Sequence, residues 1–193
     1  MKIKFTVSLM LILAFAGLIL IFAANSCPVG GDNSKPKFQH LDSLKNRSLV
    51  SKHITNVALE TVMKPGDDTH RFADSQYVSI TGFIYKVKWG GAETCNCHSK
   101  DKSQLDFHVE LVTTLDGADN SKAMVVEVSR FSRGHMTYES IKSLEGKKVT
   151  VNGWLFFDEE HKQNAVNTNP KGTNLYRATV WEIHPVFSIS EVK

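Results

Sequence analysis

The chain has 193 residues, with 23 Lys and Arg against 20 Asp and Glu, a formal net charge of +3 and only three cysteines. Without Lys2 and Lys4 the balance is 21 basic against 20 acidic residues, so strong nucleic-acid binding, which needs a dense basic surface, is not expected. Three cysteines also exclude a small fold built on several disulfides, so a hydrophobic core must hold the domain together.

Residues 1–26 have the pattern of an export segment. A basic start is followed by an apolar run from Phe5 to Ala24, and small residues then offer a cleavage site before Cys27. The apolar run is also long enough to span a bilayer, so membrane anchoring through the N-terminus is a second interpretation. A lipoprotein that is acylated on Cys27 is a third. All three predict that the rest of the chain is exported to the periplasm, the envelope or the medium.

The remaining chain divides into three segments. Residues 27–37 are polar and contain Gly and Pro, which predicts a tether. Residues 38–75 have a mixed pattern that closes with the turn Pro65-Gly66-Asp67-Asp68, and we expect them to form a lead-in packed on the following domain. From residue 76 to residue 193 the apolar period changes to two, which predicts one β domain.

Five strands rich in β-branched and aromatic residues are predicted in this domain. They cover residues 77–89, 105–113, 123–128, 147–157 and 176–190. Gly82, in the middle of the first strand, indicates a bulge or bend that lets one strand serve both halves of a barrel. Between the third and fourth strands, Thr137 is a good N-cap for a helix over 138–144, and Gly146 suits the position after its end.

Three strands, a helix and two further strands is the order of an oligomer-binding (OB) barrel. We therefore predict a mainly β fold, a five-stranded OB-like barrel, with a small sandwich or another partly open barrel as the alternative. In an OB barrel the loops after the first and fourth strands flank one binding face. Here those loops are 90–104 and 158–175, which are long and polar, so we expect the binding face between them.

The first of these loops contains Cys95, Cys97 and His98, and its sharpest interpretation is a metal site. Thiolate and imidazole suit a transition metal such as zinc, and His108 and His184 could complete the ligand set. However, the usual zinc hairpin separates its cysteines by at least two residues, and here only one intervenes. A Cys95–Cys97 disulfide, or two reduced thiols kept for packing, are the alternatives.

The second loop contains a cluster that suits ligand recognition or catalysis. His161 is a candidate general base, with a carboxylate of the preceding Asp158-Glu159-Glu160 setting its tautomer. Asn164, Asn167 and Asn169 could donate hydrogen bonds to a bound ligand. The alternative is a structured polar loop in which these asparagines satisfy backbone groups.

The strands carry a third set of candidates. By the two-residue period, His108 shares a strand face with Glu110, and Glu182 shares one with His184. If these faces point into the binding groove, Glu182 is a candidate ligand-binding residue, and a carboxylate–histidine metal set is available: Asp106, His108, Glu110, Glu182 and His184. The alternative is a solvated outer face, which is common for alternating polar residues.

Four motifs resemble an uncharacterised family of exported bacterial OB-like proteins. They are Glu93-Thr94-Cys95-Asn96-Cys97-His98, Asp106-Phe107-His108, Asp158-Glu159-Glu160-His161 and Trp181-Glu182-Ile183-His184-Pro185. The resemblance covers about residues 65–190 and departs from the family at Phe107, where Thr is common. It implies an exported barrel and brings no activity with it.

The sequence therefore predicts an exported OB-like protein that binds a small or oligomeric ligand between the two loops. A metal-assisted hydrolase, with phosphodiesters as one substrate class, is the enzyme alternative, with a metal-activated water and His161 or a carboxylate as base. A structural envelope protein without a small ligand is the third alternative.

Overall fold

The computed structural model describes residues 27–73 and 75–193. The export segment predicted over residues 1–26 lies outside the described residues. Among the helices of the described ranges, none is long and apolar enough to cross a membrane.

The described residues form three short α-helices and six strands, joined by loops that contain three 3₁₀ helices. The α-helices are α1 (Pro36–Lys45), α2 (Leu59–Val62) and α3 (Tyr138–Lys142). The strands are β1 (Thr55–Asn56), β2 (Tyr77–Trp89), β3 (Phe107–Val112), β4 (Met124–Val128), β5 (Lys148–Phe157) and β6 (Trp181–Glu191). The 3₁₀ helices are Thr94–Asn96, Asn120–Lys122 and Glu159–Asn164.

Strands β2 to β6 close into a barrel. The sheet order is β1-β2-β3-β4-β6-β5, and β2 also pairs with β5, which closes the sheet on itself. The pairing of β4 with β6 is parallel, at Val126 and Ile183, and the other four barrel pairings are antiparallel. With α3 between the third and fourth barrel strands, this is the predicted mainly β, OB-like barrel, and β1 adds a short parallel edge strand.

Gly82 lies where β2 changes partner. Residues 77–83 pair with β5, and residues 83–89 pair with β3. A Cβ atom at Gly82 would lie 2.6 Å from the Leu59 side chain, so the absence of a side chain allows α2 to approach the strand closely. A register shift follows between Ile84 and Lys86. The prediction that this strand serves both halves of the barrel is therefore confirmed, with the irregularity just after the glycine.

The core fills the barrel with the inward-facing residues of all five strands. On β4, for example, Met124, Val126 and Val128 are buried in it. Leu59 and Val62 of α2 belong to the same core, so the lead-in segment packs against the barrel. The helix cap at Thr137 forms as predicted, with its side chain accepting a hydrogen bond from the Ser140 N–H.

The segment predicted as a tether is attached to the loop 90–104. Cys27 forms a disulfide with Cys97, and the Asp32 N–H donates to the Thr94 carbonyl at 3.1 Å. The Cys95–Cys97 disulfide considered above is therefore wrong. Cys97 has a left-handed backbone (φ 52°) at the end of a 3₁₀ helix and pairs with the tether, whereas Cys95 is buried against the barrel.

Candidate functional site

The outer face of β3 and β4 is covered by other parts of the chain. The apolar residues of β3 point into the core, so His108 and Glu110 lie on the outer face. Antiparallel pairing places His108 opposite Glu127 of β4. Glu110 and Glu127 are nevertheless buried, at 0% and 5% exposed. In most barrels the polar side chains of such a face are exposed to solvent. Here the face is covered, and its charged side chains are buried.

The inner cluster consists of Asp106, Glu127 and His184, which come from the residue before β3, from β4 and from β6. One ligand atom of each lies within 4.8 Å of the other two. His184 Nε2 is 3.6 Å from Asp106 Oδ2, and His184 Nδ1 is 3.5 Å from Glu127 Oε2 and 3.1 Å from Glu182 Oε1. His184 itself is 0% exposed. Its imidazole therefore has carboxylates on both sides.

These carboxylates control the charge of the His184 ring. Burial lowers the pKa of His184, but the negative charge of Glu127 and the nearby Asp106 and Glu182 carboxylates outweigh burial and raise that pKa to about 10. When no other cation balances the cluster, the ring is therefore positively charged near neutral pH.

Cys95 is a buried free thiol directed at the inner cluster. Its Sγ lies 3.9 Å from Asp106 Oδ2 and 3.7 Å from Glu93 Oε2. Burial, with a further contribution from the Asp106 charge, raises the pKa of the Cys95 thiol well above its usual range. The side chain is therefore a poor nucleophile, but it stands within reach of a cation bound by the cluster.

A second group of charges, the outer group, lies toward the loop 158–175. Arg177 Nη1 donates to Asp158 at 2.9 Å and to Glu182 at 3.1 Å, with all three side chains buried. His161 Nδ1 contacts the same Asp158 oxygen. Glu182 joins the two groups, because its other oxygen contacts His184.

The contacts of the outer group set its protonation states. Burial alone would raise the pKa of Asp158, but the hydrogen bond with His161 and the Arg177 charge outweigh it and lower that pKa to about 2. The same hydrogen bond with Asp158 raises the pKa of His161 against the effect of burial. The contact with Asp158 therefore favours a charged His161 ring, and the His161 side chain remains 30% exposed.

His161 borders two surface cavities, and the two loops meet there. One cavity, of about 240 Å³, is lined by Glu93, Thr94, Glu160 and His161, so it joins the loop 90–104 to the loop 158–175. The other, which we call the loop cleft, has a volume of about 260 Å³. It is lined by Lys88, Trp89, Gly91, His108, Val125, His161, Tyr176 and Arg177.

The three predicted ligand-binding asparagines hold the second loop together. The amide nitrogens of Asn164 and Asn169 donate to the carbonyls of Asn174 and Gln163. Asn167 donates to the Lys64 carbonyl and to a buried carboxylate in the turn that closes the lead-in. Their side chains therefore serve the loop, and none of them lines the loop cleft.

The predicted metal ligands separate into three groups. His184 lies in the inner cluster with Cys95 beside it, and His108 contacts Glu127 at 3.2 Å. Cys97 is bonded to another cysteine, so it supplies no thiolate. The His98 side chain is 60% exposed and lies 3.7 Å from Asp32, away from the cluster. A site built on the Cys95-Asn96-Cys97 pair is thus corrected to one centred on the strands.

Two central residues were missed by the sequence analysis. Glu127 lies on β4 between core residues 126 and 128, so strand alternation alone could have assigned it to the same face as His108. Arg177 had no such signal. The sequence pattern places Arg177 at the start of the last strand, but β6 begins at Trp181, and the segment before it turns the Arg177 side chain into the outer group.

The fold and this site together define an OB-like barrel with a buried carboxylate–histidine cluster that His108 connects to a cleft between two loops. No protein-family model matches the chain, and no curated protein matches it.

Proposed function

We propose that the protein is an exported OB-like ligand-binding protein that holds a compact anionic ligand in the loop cleft. The observation that carries this proposal is the position of His161. Its Nδ1 is engaged by Asp158, which raises the pKa of His161 and so favours the charged ring, and the residue lines the cleft. A cationic donor held rigidly at the border of a cavity is a typical anchor for a carboxylate or phosphate group.

Other lining residues fit the same ligand. Arg177 Nε is buried and has no hydrogen-bond partner among the described residues, so it leaves a donor available for a ligand oxygen. Lys88, whose side chain is 37% exposed, adds an ammonium group beside the cleft, where it also contacts Glu110 at 2.8 Å. Trp89 and Tyr176 offer aromatic surface for the apolar part of the ligand. The volume of about 260 Å³ suits a monosaccharide-sized molecule.

The cavity on the other side of His161 allows a longer ligand. Its lining by Glu93, Thr94 and Glu160 is acidic and polar, so a second unit of an oligomer there would be neutral or cationic. The anionic group is therefore assigned to the loop cleft, and only the extension of the ligand would occupy this outer cavity.

The test is binding of small anions to the purified protein. Inorganic phosphate, a sugar phosphate and a uronic acid, with the neutral parent sugar as comparison, are titrated while the His161 ring signals are followed by NMR. We expect saturable binding of a charged probe and none of the neutral sugar. His161→Gln should weaken that binding about 10- to 100-fold, since a charge-assisted hydrogen bond is lost.

His98→Gln is the matched control, because His98 lies in the first loop but outside the cleft. It should leave the affinity unchanged. Equal binding of the neutral sugar, equal loss in both variants, or no binding of any charged probe by the folded protein would each contradict the proposal. The last result would favour the structural envelope alternative.

The hydrolase alternative is less well supported by this geometry. A catalytic metal needs a coordination position that is open to substrate. Asp106, Glu127 and His184 are buried, and His108 stands between Glu127 and the loop cleft. The arrangement favours a closed site beneath the cleft.

Export is part of the proposal, and the disulfide supports it. Disulfides persist mainly in oxidising compartments outside the cytoplasm, and Cys27–Cys97 connects segments that are far apart in sequence. The same bond occupies the Cys27 sulfur, so it is incompatible with acylation of that residue. This favours a cleaved signal peptide or an uncleaved anchor over a lipoprotein.

A further inference from the structure

We propose that Asp106, Glu127 and His184 bind a divalent transition metal, with zinc as the preferred ion and Cys95 as the fourth ligand. This site lies beneath the loop cleft, and the proposal does not depend on what the cleft binds.

The spacing of the ligand atoms fits a metal ion of this size. Zinc bonds to nitrogen and oxygen are about 2.0–2.2 Å long, so the ligand atoms of a tetrahedral site lie about 3.4 Å apart. His184 Nε2 and Asp106 Oδ2 are 3.6 Å apart, and Glu127 Oε2 lies 3.5 Å from the other ring nitrogen, Nδ1. One ligand atom from each of the three residues lies within 4.8 Å of the other two.

The unpartnered Nε2 atom of the His184 ring points to a bound ligand. A distance of 3.6 Å is too long for a hydrogen bond, and His184 Nε2 has no hydrogen-bond partner among the described residues. A fully buried ring nitrogen without a partner is costly. The same ring is held from behind by Glu182 at 3.1 Å, and metal-binding histidines commonly have such a carboxylate partner.

The charges of the cluster match a divalent ion. The buried carboxylates of the outer group are paired with Arg177, and Glu110 is paired with Lys88. Within the described residues, Asp106 and Glu127 have ion-pair contacts within 4 Å only to histidines. Two buried carboxylates without a Lys or Arg side chain within 4 Å carry the charge that one divalent cation neutralises.

Cys95 decides which ion is preferred. Calcium and magnesium take oxygen ligands, whereas a set with one imidazole and one thiolate suits zinc. The Cys95 Sγ is 3.9 Å from Asp106 Oδ2, close to the spacing of neighbouring ligands. With Cys95 as the fourth ligand, no coordination position remains open, which is consistent with the burial of the site.

The experiment is zinc binding by the purified protein after treatment with a chelator. Equilibrium dialysis should give one zinc per chain, and saturating zinc should raise the midpoint of thermal unfolding. Glu127→Gln and Asp106→Asn, which preserve shape, should each weaken zinc binding at least about 100-fold. Glu110→Gln is the control, because this carboxylate is equally buried on the same face but outside the cluster; it should bind zinc like the wild type.

Cobalt replacement tests the ligand set without relying on any one variant. The cobalt protein should show the visible absorption of a tetrahedral site and a thiolate charge-transfer band in the near ultraviolet. Cys95→Ser should remove that band.

Absence of stoichiometric zinc binding by the folded wild type overturns the proposal, whatever the variants do. Equal affinity in Glu110→Gln and Glu127→Gln, or preference for calcium over zinc, overturns it as well. Wild-type binding without a thiolate band overturns the assignment of Cys95. If Glu127→Gln fails to fold, Asp106→Asn and the cobalt spectrum decide the result.

Discussion

Asp158 connects the rigid interior of the site with its exposed edge. It accepts hydrogen bonds from buried Arg177 and from half-exposed His161, and both keep it ionised in spite of its burial. A buried carboxylate that is paired in this way stabilises the folded state only while it is charged, so its contribution depends on pH.

The pH dependence of stability should reveal Asp158. Its pKa falls from 3.8 to about 2 on folding, so its contribution is complete above pH 4–5 and is lost as the pH falls toward 2. Between pH 5 and pH 3 the wild type should therefore lose about 1 kcal/mol of unfolding free energy that Asp158→Asn does not lose. Urea denaturation at the two pH values measures this difference. Parallel losses in the two proteins would show that the pKa of Asp158 is not lowered.

His161 gives a second measurement on the same pair. NMR titration of its ring should give a pKa above the ordinary 6.5, because the hydrogen bond with Asp158 favours the charged ring. Asp158→Asn should lower that pKa, whereas Glu159→Gln, which changes an exposed neighbour paired with Lys37, should not. Equal titration of His161 in all three proteins would remove the basis for a cationic anchor in the loop cleft.

Among the elements, the loop 90–104 depends most on contacts that are distant in sequence. It is held by the Cys27–Cys97 disulfide and by Asn46, which donates to the Cys95 carbonyl at 2.8 Å. These contacts fix the 3₁₀ helix Thr94–Asn96 and direct Cys95 toward the barrel. The segment before β1 is therefore part of the wall of the site.

Removal of the disulfide should destabilise the protein measurably. The bond closes a loop with a sequence separation of 70, for which the chain-entropy model gives about 4 kcal/mol. Cys27→Ser should lower the unfolding free energy by up to that amount, and a reducing agent should then have no further effect. Peptide mapping without reduction should recover residue 27 linked to residue 97 and residue 95 as a free thiol. A peptide with Cys95 linked to Cys97 would contradict the pairing.

The strand boundaries show which elements the local sequence pattern predicts correctly. The first four predicted barrel strands agree with β2 to β5 within two residues at each end. The last was predicted to begin at Tyr176, but β6 begins at Trp181. The apolar and β-branched residues before Trp181 have the pattern of a strand. In the structure, however, the Thr179 hydroxyl donates to the Asp68 carboxylate in the lead-in turn, and Trp181 Nε1 donates to the Asp68 carbonyl. These long-range bonds replace strand pairing.

At the scale of the whole molecule, closure of the barrel depends on close approach between β5 and β6. A Cβ atom at Gly153 would lie 2.3 Å from Ile183 Cγ2 and 2.5 Å from the Pro185 carbonyl oxygen. The register between the two strands shifts at this point. One of these contacts is with backbone, so rotation of a side chain cannot relieve the clash.

Gly153→Ala should therefore destabilise the fold by about 2 kcal/mol or more, as overpacking does in other cores. Gly91→Ala is the control, because a Cβ atom there would meet nothing within 4 Å. Chemical denaturation of both variants measures the difference. Equal stability of the two would mean that the strands at Gly153 separate at little cost.

The sequence by itself determined the class of fold, the order of the elements and the position of the two polar loops. Alternation along a strand shows which side chains share a face, and turn and cap residues show where elements end, because both are local properties of the chain. The tertiary structure decided what covers each face. Pairing of Cys27 with Cys97, burial of the strand carboxylates, and the entry of Arg177 into the site depend on contacts between segments far apart in sequence. Local pattern carries no information on these contacts, since it reports the direction of a side chain and not its partner.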